Sequence, residues 1–196
     1  NLQGVAGLLQ QNAARRPELA DILSEAVGQV QAIAQVYGLQ VGASGPLVLA
    51  RLLRAVAQSV QRTFGRSINV AVEGEHGLEP GHLLPEAESI PVALTLNELF
   101  TNAIKHGQGA EVRCSLRVQG EVVHITIASR ATLPPGFELD ARRSAISGLG
   151  LVRALLPRRS ATMALAQEGD DVVARLELRP PGVLPPPSPD GPQSAP

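Results

Sequence analysis

The amino-acid sequence predicts an α+β chain in which a helical hairpin precedes a mixture of helices and strands. Three observations predict it. Apolar residues recur at alternating spacings of four and three from Leu19 to Tyr37, which is helical spacing. Two runs of alternating apolar and polar residues flank Gln119-Gly120, the pattern of a β-hairpin. Between them lies Leu96-Asn97-Glu98-Leu99-Phe100-Thr101-Asn102-Ala103-Ile104-Lys105-His106-Gly107, a helix with a carboxylate, a carboxamide and a cation on successive turns.

Taken in order, Leu2, Val5, Ala6 and Leu9 mark the apolar face of a first helix. A second starts near Pro17, and Leu19, Leu23, Ala26, Val30, Ile33 and Tyr37 form a heptad-like seam suited to a helical hairpin. Two amphipathic helices bury little by themselves. The hairpin is therefore expected to pair with a second copy as a four-helix bundle, in preference to packing on its own C-terminal domain. Gly42-Ala43-Ser44-Gly45 reads as a linker. Pro46 then opens a helix with Leu49, Leu52, Leu53, Val56 and Val60 inward and Gly65 just past its end.

Ser67 to Val72 is a short β-branched strand, and Glu73 to Glu88 a strand-poor connection. Its His76 and His82 lack ligand-spaced partners and read as loop residues. In the motif helix, Pro91 suits the first helical position and Gly107 a left-handed C-cap. Val92, Leu96, Leu99 and Ala103 can seat that helix on a sheet. Strands over Glu111–Val118 and Val122–Ala128 follow, with Cys114 on the apolar face in a packing role. Arg130 to Ser147 form a long connection containing Pro134-Pro135-Gly136, of a length that usually serves function. A helix over Leu149–Leu156 ends at Pro157, and strands Thr162–Ala166 and Val172–Leu178 close the fold. From Pro180 onward the Pro-, Gly- and Ser-rich composition predicts disorder.

Composition narrows the function. Hydrophobic residues make up 44% but aromatics only 2%, so the core must be built from Leu, Val, Ile and Ala. A net charge of -1 without a concentrated basic face argues against a nucleic-acid partner. No apolar run is long enough to span a bilayer and no signal peptide is present, so no membrane contact by this stretch is expected. The single Cys114 excludes an internal disulfide and fits a reducing, cytoplasmic compartment. The chain begins inside a helical pattern at Asn1, as a fragment of a longer protein would.

Glu98 and Asn102 stand four residues apart and share a helix face, with Lys105 one turn later. Such a face suits a metal–phosphate site; the alternative is a solvated surface of an ordinary helix. Gly148-Leu149-Gly150-Leu151 opens a second apolar helix, where amides freed of side chains can cradle phosphate oxygens.

At these residues the chain resembles the bacterial sensor histidine kinases and, more broadly, the GHKL ATPase superfamily. Asn97 to His106 looks like the superfamily's N box, and Gly148-Leu149-Gly150-Leu151 like its second glycine box. Asn1-Leu2-Gln3 with the hairpin is similar to the end of a His-Arg-x-Lys-Asn-Asn-Leu-Gln phosphoacceptor motif. The resemblance implies a helical dimerisation and histidine phosphotransfer module over residues 1–42, an α/β sandwich of the histidine-kinase ATPase type over 44–180, and a disordered tail over 181–196. It implies ATP and Mg²⁺ as cofactors, a homodimer formed through the hairpin, and a response-regulator receiver domain as partner. By the same resemblance Glu98 would polarise the attacking group, Asn102 would hold Mg²⁺, Lys105 would contact phosphate and His106 would border the nucleotide. Gln10, Gln11, Arg15 and Arg16 on the hairpin would be a regulator-docking surface, and Arg130 to Ser147 an ATP lid.

The sequence departs from that pattern twice. The phosphoacceptor histidine would lie about five residues before Asn1, so this stretch alone would not autophosphorylate there. The first glycine box, usually Asp-x-Gly-x-Gly, corresponds to Ile127-Ala128-Ser129-Arg130-Ala131-Thr132-Leu133-Pro134, with Ser129 in the aspartate's place. A hydroxyl can still bond adenine but without a carboxylate's charge-assisted strength, so weakened affinity or relaxed base selectivity is expected. Three functions compete: the catalytic core of a histidine kinase, a non-catalytic dimeric phosphotransferase with a decayed ATPase domain, and a serine-directed kinase of the anti-sigma type. The hairpin argues against the third. Retention of Glu98, Asn102, Lys105, Gly148 and Gly150 favours the first.

Overall fold

Two helices open the chain, α1 (Leu2–Arg15) and α2 (Ala20–Gln40), joined through a single 3-10 turn at Pro17–Leu19. The computed structural model describes residues 2–15, 17–41, 45–74, 81–137, 148–157 and 159–186. Most of the linker at 42–44, His76, and all but the start of the lid segment lie outside the described residues. The remaining elements are β1 (Leu47–Val48), α3 (Leu49–Phe64), β2 (Ser67–Glu73), β3 (Leu83–Leu84), α4 (Glu86–His106), β4 (Glu111–Gln119), β5 (Val122–Arg130), α5 (Gly148–Leu155), β6 (Ala161–Glu168) and β7 (Asp171–Leu178).

Five strands form one mixed sheet in the order β2-β4-β5-β7-β6. Only β2 and β4 run parallel, because α4 crosses between them; the other neighbours are antiparallel. Alternation sends Val112, Cys114, Leu116, Val123, Ile125, Ile127, Leu176 and Leu178 into the core. The opposite face is polar and laced with cross-strand ion pairs, among them Arg117–Glu73 at 2.9 Å, Arg113–Asp171 and Arg175–Glu168. Burial pushes the Cys114 thiol up to about 12, in keeping with a packing role. Helices α3 and α4 cover the inner face, and α5 packs on α4. Leu49, Leu52, Leu53, Val56 and Val60 of α3 are all buried, and Gly65 caps that helix with φ 64, as the sequence predicts.

The hairpin is placed differently from the expectation. Helix α2 lies against α4 and α3, so the hairpin does pack on its own C-terminal domain. It buries Val27, Ala32 and Val36, while Leu23, Ala26, Val30 and Ile33 of the expected seam are only half-buried and Leu19 and Tyr37 are exposed. Gly28 lets α2 approach α4 closely: a Cβ there would lie 3.0 Å from Asn97 Nδ2.

Several boundaries also move. Helix α4 begins at Glu86, which leaves Pro91 inside it. The β4–β5 turn is Gly120-Glu121, with Gly120 at φ 61 and Gln119 paired to Val122. The stretch over residues 180–186, expected to be disordered, is packed: Val183 is 1% exposed, and Leu184 exchanges two backbone bonds with Leu83, of 2.8 and 2.9 Å; residues 187–196 lie outside the described residues. That segment extends the small β1–β3 sheet, which explains why a proline-rich stretch stays packed.

Candidate functional site

Helix α4 carries the site. Its first turn holds Glu86 and Glu88, which favour the positive end of the helix dipole. Pro91 lacks an amide and so removes one bond of the ladder. Thr95 Oγ1 donates back to the Pro91 carbonyl at 2.8 Å, and Ser89 Oγ to Pro85 at 3.1 Å. The helix is enclosed by the sheet, α2, α3 and α5, so every residue from Val92 to Thr101 is buried. The alternative of a solvated surface helix does not hold for Glu98, which is buried, while Asn102 is half-buried and Lys105 exposed.

Glu98 is 8% exposed, and Asn102 Nδ2 donates to its Oε1 at 2.8 Å. Burial holds the Glu98 carboxyl above its ordinary range; the Asn102 bond opposes this, the Glu25 carboxylate of α2 adds to it, and Lys105 opposes it. With its nitrogen committed to Glu98, the half-buried Asn102 carboxamide turns its oxygen away from that carboxylate. A neutral oxygen beside a carboxylate is a donor set a hard Mg²⁺ accepts, since that ion keeps several waters and takes few protein ligands. Lys105 and His106 continue the helix to its exposed end.

There the helix meets β5. Gly107 leaves in an extended conformation (φ -73, ψ 135), not the left-handed cap the sequence suggests. The glycine is needed for a different reason. A Cβ at Gly107 would lie 2.3 Å from the Ala103 carbonyl oxygen and 3.5 Å from Ser129 Cβ. Ser129, buried at the end of β5, is thus brought to the Lys105–His106 end of α4. Gly148, Leu149 and Gly150 form the first turn of α5, which packs on α4. The structure places Glu98, Asn102, Lys105 and His106 along α4 with Ser129 at its C-terminal end, and α5, which opens at Gly148-Leu149-Gly150, packs on the same helix.

Sequence reasoning missed three contributors. Glu25 acts on Glu98 from the hairpin. Gly28 forms a notch for Asn97, whose Nδ2 lies 3.0 Å from where a Cβ would stand. Arg66 donates to the Ile104 and Gly107 carbonyls. None of the three has a local spacing signal, because each acts across elements distant in the chain.

No family model matches the chain, and no curated protein matches it in sequence. Solved structures do match in fold. The histidine kinase domain of a blue-light activated histidine kinase from Erythrobacter litoralis superposes with a TM-score of 0.64 at 17% identity, covering 91% of this chain and 85% of that one. The Acinetobacter baumannii histidine kinase AdeS gives 0.54 at 12% identity, over 83% and 80%. Full-length ShkA, solved in complex with AMPPNP, gives 0.55 at 20% identity, over 89% of this chain and 41% of that one. The fold of this chain is that of histidine kinase domains.

Proposed function

We propose that this chain is the catalytic core of a sensor histidine kinase, which uses Mg-ATP to phosphorylate a histidine and relays the phosphoryl group to a response-regulator aspartate. The observation that carries the reading is the buried, hydrogen-bonded Glu98–Asn102 pair on a helix set in this fold. Neither residue contributes apolar packing, and a buried carboxylate costs stability, a cost that a chemical role for Glu98 would account for. A raised carboxyl pKa moves Glu98 toward the range in which a base can accept a proton from an attacking group near neutral pH. Asn102 would hold Mg²⁺ through its oxygen, and the ion, when bound, supplies charge neutralisation at the phosphates. Lys105 adds a cation, His106 borders the nucleotide, and the Gly148 to Gly150 amides at the start of α5 meet phosphate oxygens. Ser129 offers adenine a neutral hydroxyl.

The half-buried and exposed apolar residues of the hairpin, Val5, Leu8, Ile22 and Tyr37 among them, supply a surface for a homodimer. The phosphoacceptor histidine belongs upstream of Asn1 in this reading, the receiver domain docks on the hairpin, and the setting is cytoplasmic. A second reading, a non-catalytic dimeric phosphotransferase with a degenerate ATPase domain, is favoured by Ser129 in place of a carboxylate.

Thermal unfolding with and without Mg-ATP separates the two. The kinase reading expects a nucleotide held at about a hundred times its Kd to stabilise the chain by about 2.7 kcal/mol. Asn102→Ala is expected to lose that gain; because it also takes the hydrogen bond from buried Glu98, each chain is compared with itself, with and without nucleotide. Equal stability with and without Mg-ATP in the unmutated chain favours the scaffold.

A further inference from the structure

Arg66 stands between α3 and β2, far in sequence from the motif helix, yet its side chain closes the end of α4. Nη1 donates to the Ile104 carbonyl at 2.9 Å and to the Gly107 carbonyl at 3.2 Å. A helix that ends on a left-handed glycine satisfies its last carbonyls from its own chain. Helix α4 does not end that way, because Gly107 is extended. Its final carbonyls need an outside donor, and a guanidinium there also opposes the negative end of the helix dipole. The following amide, Gln108, donates to the Arg130 carbonyl at 2.7 Å, tying the chain to the end of β5 one residue past Ser129. Gly107 and Ser129 meet in the same place, with no room for a Cβ on the glycine.

We propose that Arg66 is a positioning residue for base selection: it fixes the last turn of α4, with Lys105 and His106, against Ser129 at the end of β5. The proposal rests on the nucleotide reading given above. Lys105, His106 and Ser129 come from two elements, so their mutual spacing depends on how the end of α4 is tied down. Among the described residues, the hydrogen bonds that tie that end to other elements include the Arg66 pair and the Gln108–Arg130 bond. A methionine at position 66 keeps an apolar stem but no donor. A lysine restores the charge on a tetrahedral ammonium, in place of the planar Nη1 that donates to both carbonyls.

The test uses the full chain, with Mg-ATP and Mg-GTP as probes, binding measured well below the unfolding temperature, and amide exchange at Gln108 followed in parallel. Arg66→Met is expected to weaken ATP binding by about tenfold, the scale of losing charge-assisted bonds, and to weaken GTP binding by less. The Gln108 amide should exchange faster while the Ile125 and Ile127 amides stay protected. Arg66→Lys should fall between the two, and it carries the test if the methionine variant does not fold. A merely structural Arg66 would lower the unfolding temperature and leave the ATP-to-GTP ratio unchanged, which overturns the positioning role alone. Unmutated chain that binds both nucleotides equally also overturns it. Unmutated chain that binds neither overturns the nucleotide reading, and this role with it.

Discussion

Ionised Glu98 costs this fold stability, and that cost can be read as a pH dependence. Burial holds its folded-state pKa above the ordinary value of 4.5, so the folded chain keeps that proton more tightly than the unfolded chain does. Stability is then greatest below the unfolded value and falls as pH rises through the folded one. Glu98→Gln removes the ionisation and keeps an oxygen for Asn102 Nδ2. It should raise the unfolding temperature at about pH 7.5 and make little difference below about pH 4. Melts of both proteins at the two pH values check this, and a variant less stable at neutral pH would make Glu98 a stabilising residue instead. At this scale the sequence was informative about identity and spacing, since residues four apart on a helix face must meet. It was silent about environment. Glu98 reads as a polar residue on a helix face, and only tertiary packing buries it and places Glu25 of α2 nearby.

Among the elements, α4 and its two ends show where local rules yield to tertiary contacts. Pro91 predicts a helix start, but Glu86 to Ile90 remain helical ahead of it. Gly107 predicts a cap by conformation, but its real constraint is contact. Alanine at Gly107 is compatible with the observed φ and ψ yet sets a Cβ 2.3 Å from a backbone oxygen. Gly107→Ala should therefore destabilise the chain by about 1–3 kcal/mol through overpacking, read from denaturant unfolding. A neutral effect would mean the last turn of α4 yields without strain. The β4–β5 hairpin was legible to within one residue, because a two-residue turn with a positive-φ glycine leaves a strong local mark. The packed segment past Pro180 was not legible, because Leu184 pairs with Leu83 on the far side of the fold.

On the scale of the molecule, the helices, the five strands of the main sheet and the site helix followed from periodicity, while the order of those strands and the docking of the hairpin did not. The expected seam would face a second copy, but the structure turns Val27, Ala32 and Val36 toward its own domain and leaves the seam at the margin. A hairpin can do both, since its inner face meets α4 while Leu8 and Ile22 stay 62% and 65% exposed. If that outer face joins two copies, Ile22→Asp should yield monomers by light scattering with a stability change within about 0.5 kcal/mol. An unmutated chain that is monomeric throughout would remove the dimer from the account. No helix among the described residues is long and apolar enough to cross a membrane. In the proposed function, α4 and its surroundings would hold Mg-ATP. Calorimetric titration of this chain with ATP, with and without Mg²⁺, tests it most directly. One saturable site whose affinity depends on the metal is expected, and no detectable heat of binding at millimolar nucleotide would exclude a nucleotide site on α4.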